Sequence, residues 1–402
     1  MVEYETQLKA KRFANLPAKI QPILTSQAAH PLNPLTMLRW VQANHGVSPA
    51  RQLWEMARLG RGKRRLPPVD YYSRGLYRPS MTWEQKTEYI GETSNYALNH
   101  GLQPDGLLTH WALINDKMLS GFVLQGMGIP TSKTLVIYGK GPRYGNFPHI
   151  TTRDGLIAAL SNPPDIGLFG KPVDGSLGIG AVSINRYLGA GKVQLLDGRE
   201  VEVAALADEI AQKFPRGYLF QERLQLHPDI ACLLGNAVVT MRVCTIHPEG
   251  GPEVLYACLR VPAENAPIDG GTWISNNGAA LLDPASGKVL RAMRGIFPFG
   301  GPFEMAPTGT GPLVGFTLPY FDEARNLVIS AHRAFPDHGI LGWDVVLTPQ
   351  GPLINEVNAN THHMFWQRAA DRGFLNPEHE ARLAPVHAWV AAKLAAKKSK
   401  KA

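Results

Sequence analysis

The sequence predicts an α+β protein in which antiparallel sheets are backed by a few helices. Three observations predict it. From about residue 105, apolar runs of strand length alternate with short helical patterns. The second half is a succession of hairpins, each strand-like run ending in a Gly/Pro-rich turn. Glycine and proline number 40 and 32 among 402 residues, which suits a loop-rich fold better than a helical bundle. At 44% hydrophobic and 18% charged residues, the chain is too apolar for disorder and long enough for two or three domains. No run of about 18 apolar residues exists to span a bilayer.

Taken in order, the elements have local causes. Pro17, Pro22, Pro31, Pro34 and Pro49 argue against long helices in the first fifty residues, and one helix is expected from Ser48 to Leu59. Asp116 to Gly128 carries apolar residues at 118, 119, 122, 123 and 127, one helix face, stopped by Gly128 and Pro130. Thr134–Tyr138 reads as a strand, a short helix follows Thr152, and an apolar strand leads into Lys171. Residues 201–213 read as a helix and Tyr218–Gln221 as a strand. Val238–Ile246 and Val254–Val261 flank a turn at 247–251, and two further strand-like runs flank the turn at Asp283–Gly287. A helix over roughly 320–335 precedes a hairpin of Trp343–Leu347 with Leu353–Val357.

The net charge of +8 is unevenly placed. Residues 1–66 hold eleven Lys/Arg against three Glu, and the last ten residues hold five lysines and no acid. The remaining body has 25 Lys/Arg and 30 Asp/Glu, so it is acidic, and nucleic acid is not an expected partner. The Gly60–Arg65 cluster reads first as a solvated linker; its sharper reading is contact with an anionic surface, such as a membrane, an acidic polymer or a partner protein. Met1–Glu5 lacks an apolar signal core, and Cys232, Cys244 and Cys258 form neither a disulfide framework nor a CxxC pair. A cytoplasmic location is expected, peripheral to the inner face of a membrane if the basic ends bind one.

Two motifs carry chemistry. Lys171-Pro172-Val173-Asp174-Gly175-Ser176-Leu177-Gly178-Ile179-Gly180 places a cation at a strand end before a Gly/Ser-rich turn. Backbone N–H groups and a lysine there suit a polyphosphate, although an ordinary hairpin loop has the same composition. The segment matches neither the Walker pattern nor GxGxxG. The second motif is Gly342-Trp343-Asp344 with Glu356-Val357-Asn358 on the returning strand. Glu356 and Asn358, two apart, project from one face, and Asp344 lies across from them. Two carboxylates and an amide oxygen suit Mg²⁺ with phosphate oxygens; the alternative is a polar outer hairpin face.

Together with Asn115-Asp116-Lys117 before Gly128-Ile129-Pro130, Phe220-Gln221-Glu222-Arg223-Leu224, Met241-Arg242-Val243 and an upstream Tyr71-Tyr72…Gly75-Leu76-Tyr77, these motifs resemble the sugar-transfer-associated ATP-grasp family over about residues 70–375. The resemblance implies an ATP-grasp fold, two α+β lobes gripping ATP between antiparallel sheets, with a helical basic N-terminal extension. It divides the chain into that extension (1–66), a helical lead-in (67–108), an N-terminal lobe with the phosphate loop (109–222), a C-terminal lobe with the metal site (223–376), and a C-terminal helix with a Lys-rich tail (377–402).

It also implies roles. Lys117 and Lys171 would contact ATP phosphates, with Gly175, Ser176, Gly178 and Gly180 closing over them. Gln221, Glu222, Arg223 and Leu224 would form the hinge strand beside adenine, and Asp229 would bind the ribose. Asp344, Glu356 and Asn358 would hold Mg²⁺. Arg242 would stabilise charge on the transferred phosphate, or else pair with a structural carboxylate. The implied chemistry is ligation of a small-molecule carboxylate through an acyl phosphate attacked by an amine or other nucleophile, in polysaccharide or glycoconjugate biosynthesis. A kinase of a small-molecule or sugar hydroxyl and a non-catalytic nucleotide-binding scaffold are the alternatives. At the substrate end stand the Gly-rich segment 269–278 and Asn360-Thr361-His362-His363, whose histidines read first as helix-capping or surface residues. His227, Cys232, Cys244 and His247 lack the spacing of a zinc site.

Overall fold

In a computed structural model, residues 23–24, 32–62, 65–103, 113–140, 144–174, 178–235, 237–262, 277–298 and 300–399 are described, the last four of these as backbone. Gly175, Ser176 and most of segment 269–278 lie outside the described residues.

The N-terminal region folds into helices α1 (Pro34–His45), α2 (Pro49–Leu59), α3 (Pro68–Ser73), α4 (Trp83–Thr87) and α5 (Glu92–Gly101). Helix α1, twelve residues long, corrects the expectation that the prolines argue against long helices there. Pro34 occupies the first turn, where its missing N–H is no loss, and the Asn33 side chain accepts from Leu35 N at 2.9 Å. Ser48 caps α2 in the same way. Met37, Val41 and Leu59 pack with Tyr71, Tyr72 and Tyr77, so one apolar cluster joins the basic extension to the helices after it. Inside it, the Glu55 carboxylate accepts from Lys86 Nζ and Tyr71 OH, both at 2.7 Å.

The first lobe comprises α6 (Lys117–Gly126), β1 (Thr134–Tyr138), β2 (His149–Ile150), α7 (Arg153–Leu160), β3 (Leu168–Pro172), β4 (Val182–Gly189), β5 (Lys192–Leu195), β6 (Glu200–Glu202), α8 (Val203–Lys213) and β7 (Tyr218–Glu222). The sheet order is β2-β1-β7-β3-β4-β5-β6, and only β1 and β2 run parallel. Leu156 and Leu160 of α7 and Leu206 and Ile210 of α8 cover one face against Ile184 and Phe220. Leu24 joins this cluster, and the Glu209 carboxylate accepts from Ile23 N and Leu24 N.

The second lobe comprises α9 (Pro228–Leu234), β8 (Met241–Ile246), β9 (Glu253–Val261), β10 (Gly278–Leu282), β11 (Val289–Arg294), β12 (Gly301–Pro302), α10 (Phe321–His332), β13 (Ile340–Thr348) and β14 (Gly351–Asn358). It is followed by α11 (Met364–Ala370) and α12 (Pro377–Ser399). The antiparallel order is β12-β11-β10-β9-β8-β13-β14. Alternation sends Val243, Trp343 and Val345 to one face with Ala324 and Val328 of α10. Cys244, Tyr256 and Cys258 face the other way, against Trp366, Phe374 and Leu383. Burial of each such large side chain is worth about 1.5–3 kcal/mol, and burial on both faces makes this sheet the rigid floor of the site. Among the described residues, no helix is long and apolar enough to cross a membrane.

Candidate active site

The two lobes meet where the edge strand β14 passes the start of α6 and the end of β3. Thr131 bridges Ile354 in parallel fashion, and Ile354 N donates to Pro130 O at 2.9 Å. The resulting cleft encloses about 640 Å³ counted to its open mouth, and is lined by Lys117, Thr134, Gln221, Asn355 and Glu356 among others.

The strand register builds its acidic side. Arg242, Asp344 and Glu356 are successive cross-strand partners on β8, β13 and β14, so their side chains form one row across the sheet. Asn358 follows Glu356 by two residues on the same face. Arg242 grips Asp344 in bidentate fashion, Nε–Oδ1 2.6 Å and Nη2–Oδ2 3.0 Å. Arg260 Nη2 adds a contact at 3.7 Å. Burial acts to raise the Asp344 carboxyl, but Arg242, Arg260 and Lys171 outweigh it and hold it below the usual carboxylate range. The Arg242 guanidinium is locked in its charged form, since the Asp344 carboxylate outweighs burial.

The basic side comes from the first lobe. The Asp116 side chain caps α6 by accepting from Met118 N at 3.0 Å, which sets Lys117 at the mouth of the cleft. Lys117 Nζ stands 3.5 Å from Glu356 Oε1. Lys171, at the buried end of β3, donates to Asn355 Oδ1 at 3.2 Å, and Ser132 Oγ donates to the same atom at 2.8 Å. Asn355 reaches them because of a bulge. Asp344 pairs with Glu356 but Val345 pairs with Ile354, which leaves Asn355 as the extra residue on β14.

Burial pushes the Lys171 ammonium down to about 8; Lys117 adds to the effect, while Glu356 and Asp344 oppose it. The cost of burying this charge is present below that pH and is relieved as pH rises towards the ordinary lysine range. A phosphate partner needs the charged form. Apparent KM for ATP should therefore rise as pH passes upward through about 8, and Lys171→Arg, which stays charged, should flatten that rise in steady-state assays.

Of the remaining predicted residues, Gln221 lines the cleft. Its Nε2 donates to Thr134 Oγ1 at 3.1 Å, while its buried Oε1 has no partner among the described residues. Glu222 pairs with Lys133 at 2.5 Å on the rim. Arg223 Nε donates to Ile166 O at 2.8 Å, and Leu224 packs on the second lobe's core, so both are held by structural contacts. Gly178 and Gly180 have left-handed backbones, φ +70° and +79°. A Cβ on Gly180 would lie 2.3 Å from the Phe214 ring, and Tyr218 OH donates to its carbonyl at 2.6 Å, so only glycine fits there. Asp229 is exposed in the first turn of α9, 3.7 Å from His227, and no described contact joins it to the Lys–carboxylate cluster.

His363 corrects an expectation: it takes the N-cap position of α11, but its side chain makes no cap bond and is fully buried. Its Nδ1 and Nε2 meet Tyr256 OH and Asn99 Oδ1, both at 3.0 Å, and its ring stacks on Phe374 at 3.7 Å. Burial, reinforced by nearby His379, His362 and Arg242, keeps it neutral. His362 is half-buried and faces Glu92 at 3.5 Å.

All donors predicted for a cation are oxygens, from two carboxylates and one amide. The Asn358 amide nitrogen is buried without a partner among the described residues, which leaves this side chain free to settle around an incoming ligand. Asp344 spends one lone pair per oxygen on Arg242 and retains others. The set fits Mg²⁺, which takes a few carboxylates and leaves its other positions to water and phosphate.

The sequence matches the family described as sugar-transfer associated ATP-grasp over residues 108–381, more than half of the chain. The chain belongs to this family. No curated protein matches it. Solved structures of similar fold include the D-alanine–D-alanine ligase of Coxiella burnetii, with 11% identity over 72% of this chain and 61% of that one and a TM-score of 0.38. The D-alanyl-alanine synthetase A of Vibrio cholerae has 11% identity over 71% and 66%, TM-score 0.38. The ATP-grasp ligase PsnB has 17% identity over 68% and 61%, TM-score 0.33. The chain thus spans about three-fifths of the length of the first of these. Within the ATP-grasp chain, Ser132, Thr134, Asn355 and Arg260 complete the site although no motif announced them. Arg260 did leave a signal, a single charge near the end of the apolar run Leu255–Val261.

Proposed function

We propose that the protein is an ADP-forming, Mg²⁺-dependent ligase that activates a carboxylate as an acyl phosphate for attack by an amine or other nucleophile. The observation that carries this reading is the convergence of Lys117 and Lys171 from one lobe on the Arg242–Asp344–Glu356 row of the other. Without nucleotide these charges neutralise one another. ATP replaces that arrangement: its phosphates take Lys117 and Lys171, which frees Glu356 and Asn355. Bound Mg²⁺, held by Asp344, Glu356 and Asn358, would neutralise phosphate charge. Arg242, fixed in its charged form by Asp344, presents a preorganised cation at the edge of the row, where charge develops on the transferred group.

In the first step a carboxylate oxygen bonds to the γ-phosphorus, the bond to the β–γ bridging oxygen breaks, and ADP leaves. In the second, the nucleophile bonds to the acyl carbon, inorganic phosphate leaves, and the nucleophile's proton is released. Positioning and charge neutralisation suffice, so no Ser or Cys nucleophile is required. The family description, sugar-transfer associated, supports a place in polysaccharide or glycoconjugate synthesis. The basic ends fit an anionic membrane surface or polymer. A coupled ADP-release screen over pooled amino acids, amino sugars and uronic acids tests the reading. Free phosphate and an amide support it, and a phosphorylated alcohol would assign a kinase instead.

A further inference from the structure

Beyond the Arg242–Asp344–Glu356 row lies a second cluster of cations, where α3 and α11 meet Arg294 and Gly295 at the end of β11. The recess there is small and open to solvent, and is lined by Ser73, Arg74, Tyr89, Arg294 and Arg368. Asp371 also lines it, but its carboxylate is already clamped by Arg78 at 2.7 and 2.9 Å and approached by Arg291 at 3.2 Å. Gln367 is spent on the backbone of Ile90 and Phe374. Arg74 faces Asp70 at 4.0 Å.

Arg294 is exposed, its guanidinium 4.6 Å over the Phe303 ring, which leaves three residues with buried donors. Arg368 makes no ion pair among the described residues, and its buried Nε has no hydrogen-bond partner there. The Ser73 and Tyr89 hydroxyls, on residues 3% and 1% exposed, have none either. Buried donors left unsatisfied are costly, so three around one recess call for a compensating partner, an ordered water or the polar group of a ligand. Burial, with Arg74 and Arg260, pushes the Arg368 guanidinium down to about 10, the opposite of what an ion pair would do. The recess is also close to the site already described. The Phe365 ring lies 5.3 Å from the Arg260 guanidinium and 5.6 Å from that of Arg368, and Arg260 reaches Asp344.

We propose that this recess binds an oxyanion group, a carboxylate or a phosphate monoester, gripped by Arg368 with the Ser73 and Tyr89 hydroxyls donating. A guanidinium fork matches either group in bidentate fashion. Resting on the ligase reading above, the bound group is a second acidic function of the substrate whose first carboxylate is activated beside Asp344. The substrate is then a diacid or a phosphorylated acid.

The test is a thermal-shift titration of the full chain without ATP, using sodium phosphate, acetate and glutarate against sodium chloride of equal ionic strength. We expect saturable stabilisation that weakens by roughly tenfold or more in apparent affinity in Arg368→Gln, the loss of one charge-assisted hydrogen bond. Ser73→Ala, which keeps the charge, should weaken it less, and decides the matter if Arg368→Gln fails to fold. A stronger response to phosphate than to acetate assigns a phosphate group, and a stronger response to glutarate and acetate assigns a carboxylate. No saturable response in the wild type, or equal responses in both variants, would overturn the proposal. Binding of Mg–ATP, followed separately, should be unchanged in Arg368→Gln, so failure here is distinguishable from failure of the ligase reading.

Discussion

Glu356→Ala should lose ATP turnover by at least about 10²–10³-fold, the effect of deleting one preorganised electrostatic group, while its melting temperature stays near that of the wild type. The structure separates the two effects. Glu356 sits on the edge strand β14 with its side chain about a quarter exposed, and its one described ion pair is with Lys117 at 3.5 Å. Such a contact is worth little to stability, at most about 1 kcal/mol. Lys117, with its side chain about 10% exposed, lies just inside the cleft mouth and is not fully enclosed when this contact is lost. Coupled ADP release and a thermal melt on the same preparation read both quantities, and undiminished ADP release would remove Glu356 from the metal site.

Asp344→Ala should instead unfold the protein readily, at a cost of about 3–5 kcal/mol. Asp344 is the partner that allows Arg242 to stay charged in the interior, with hydrogen bonds of 2.6 and 3.0 Å. Truncation strands that guanidinium beside Arg260 and Lys171, all of one sign. The double change Arg242→Met with Asp344→Leu should recover much of the stability and none of the activity, because apolar groups of similar size replace a buried pair at little cost. Denaturant melts of the two variants measure this. A stable Asp344→Ala protein would mean that the pair contributes no more than a surface contact. The pair would thus have two duties, since Arg242 is held by a carboxylate that the proposed cation site also uses.

Much of the fold was legible because period and turn chemistry agreed. The apolar runs Val238–Ile246 and Trp343–Leu347 put Arg242 and Asp344 inside apolar strands, where a charge needs a reason. Helix α1 was hidden because proline was read as a breaker, whereas at the first turn it is a starter. Asn355 was hidden for a different reason. Strict alternation sends it to the opposite face from Glu356, and only the bulge brings it to Lys171. His363 looked like a surface residue beside His362, yet its burial depends on Asn99 and Tyr256, distant in sequence. The Arg74–Arg368 recess joins residues nearly three hundred positions apart, and nothing in either local sequence announces it.

In the proposed reaction a carboxylate passes through an acyl phosphate at the Lys117–Lys171–Asp344–Glu356 cluster. Hydroxylamine tests it most directly, since it traps an acyl phosphate as a hydroxamate whatever the natural nucleophile is. The full chain, Mg–ATP, a pool of amino and uronic acids including diacids, and hydroxylamine should yield ADP, inorganic phosphate and hydroxamate in equal amounts. ADP with a phosphorylated hydroxyl compound, or AMP with pyrophosphate, would contradict the account.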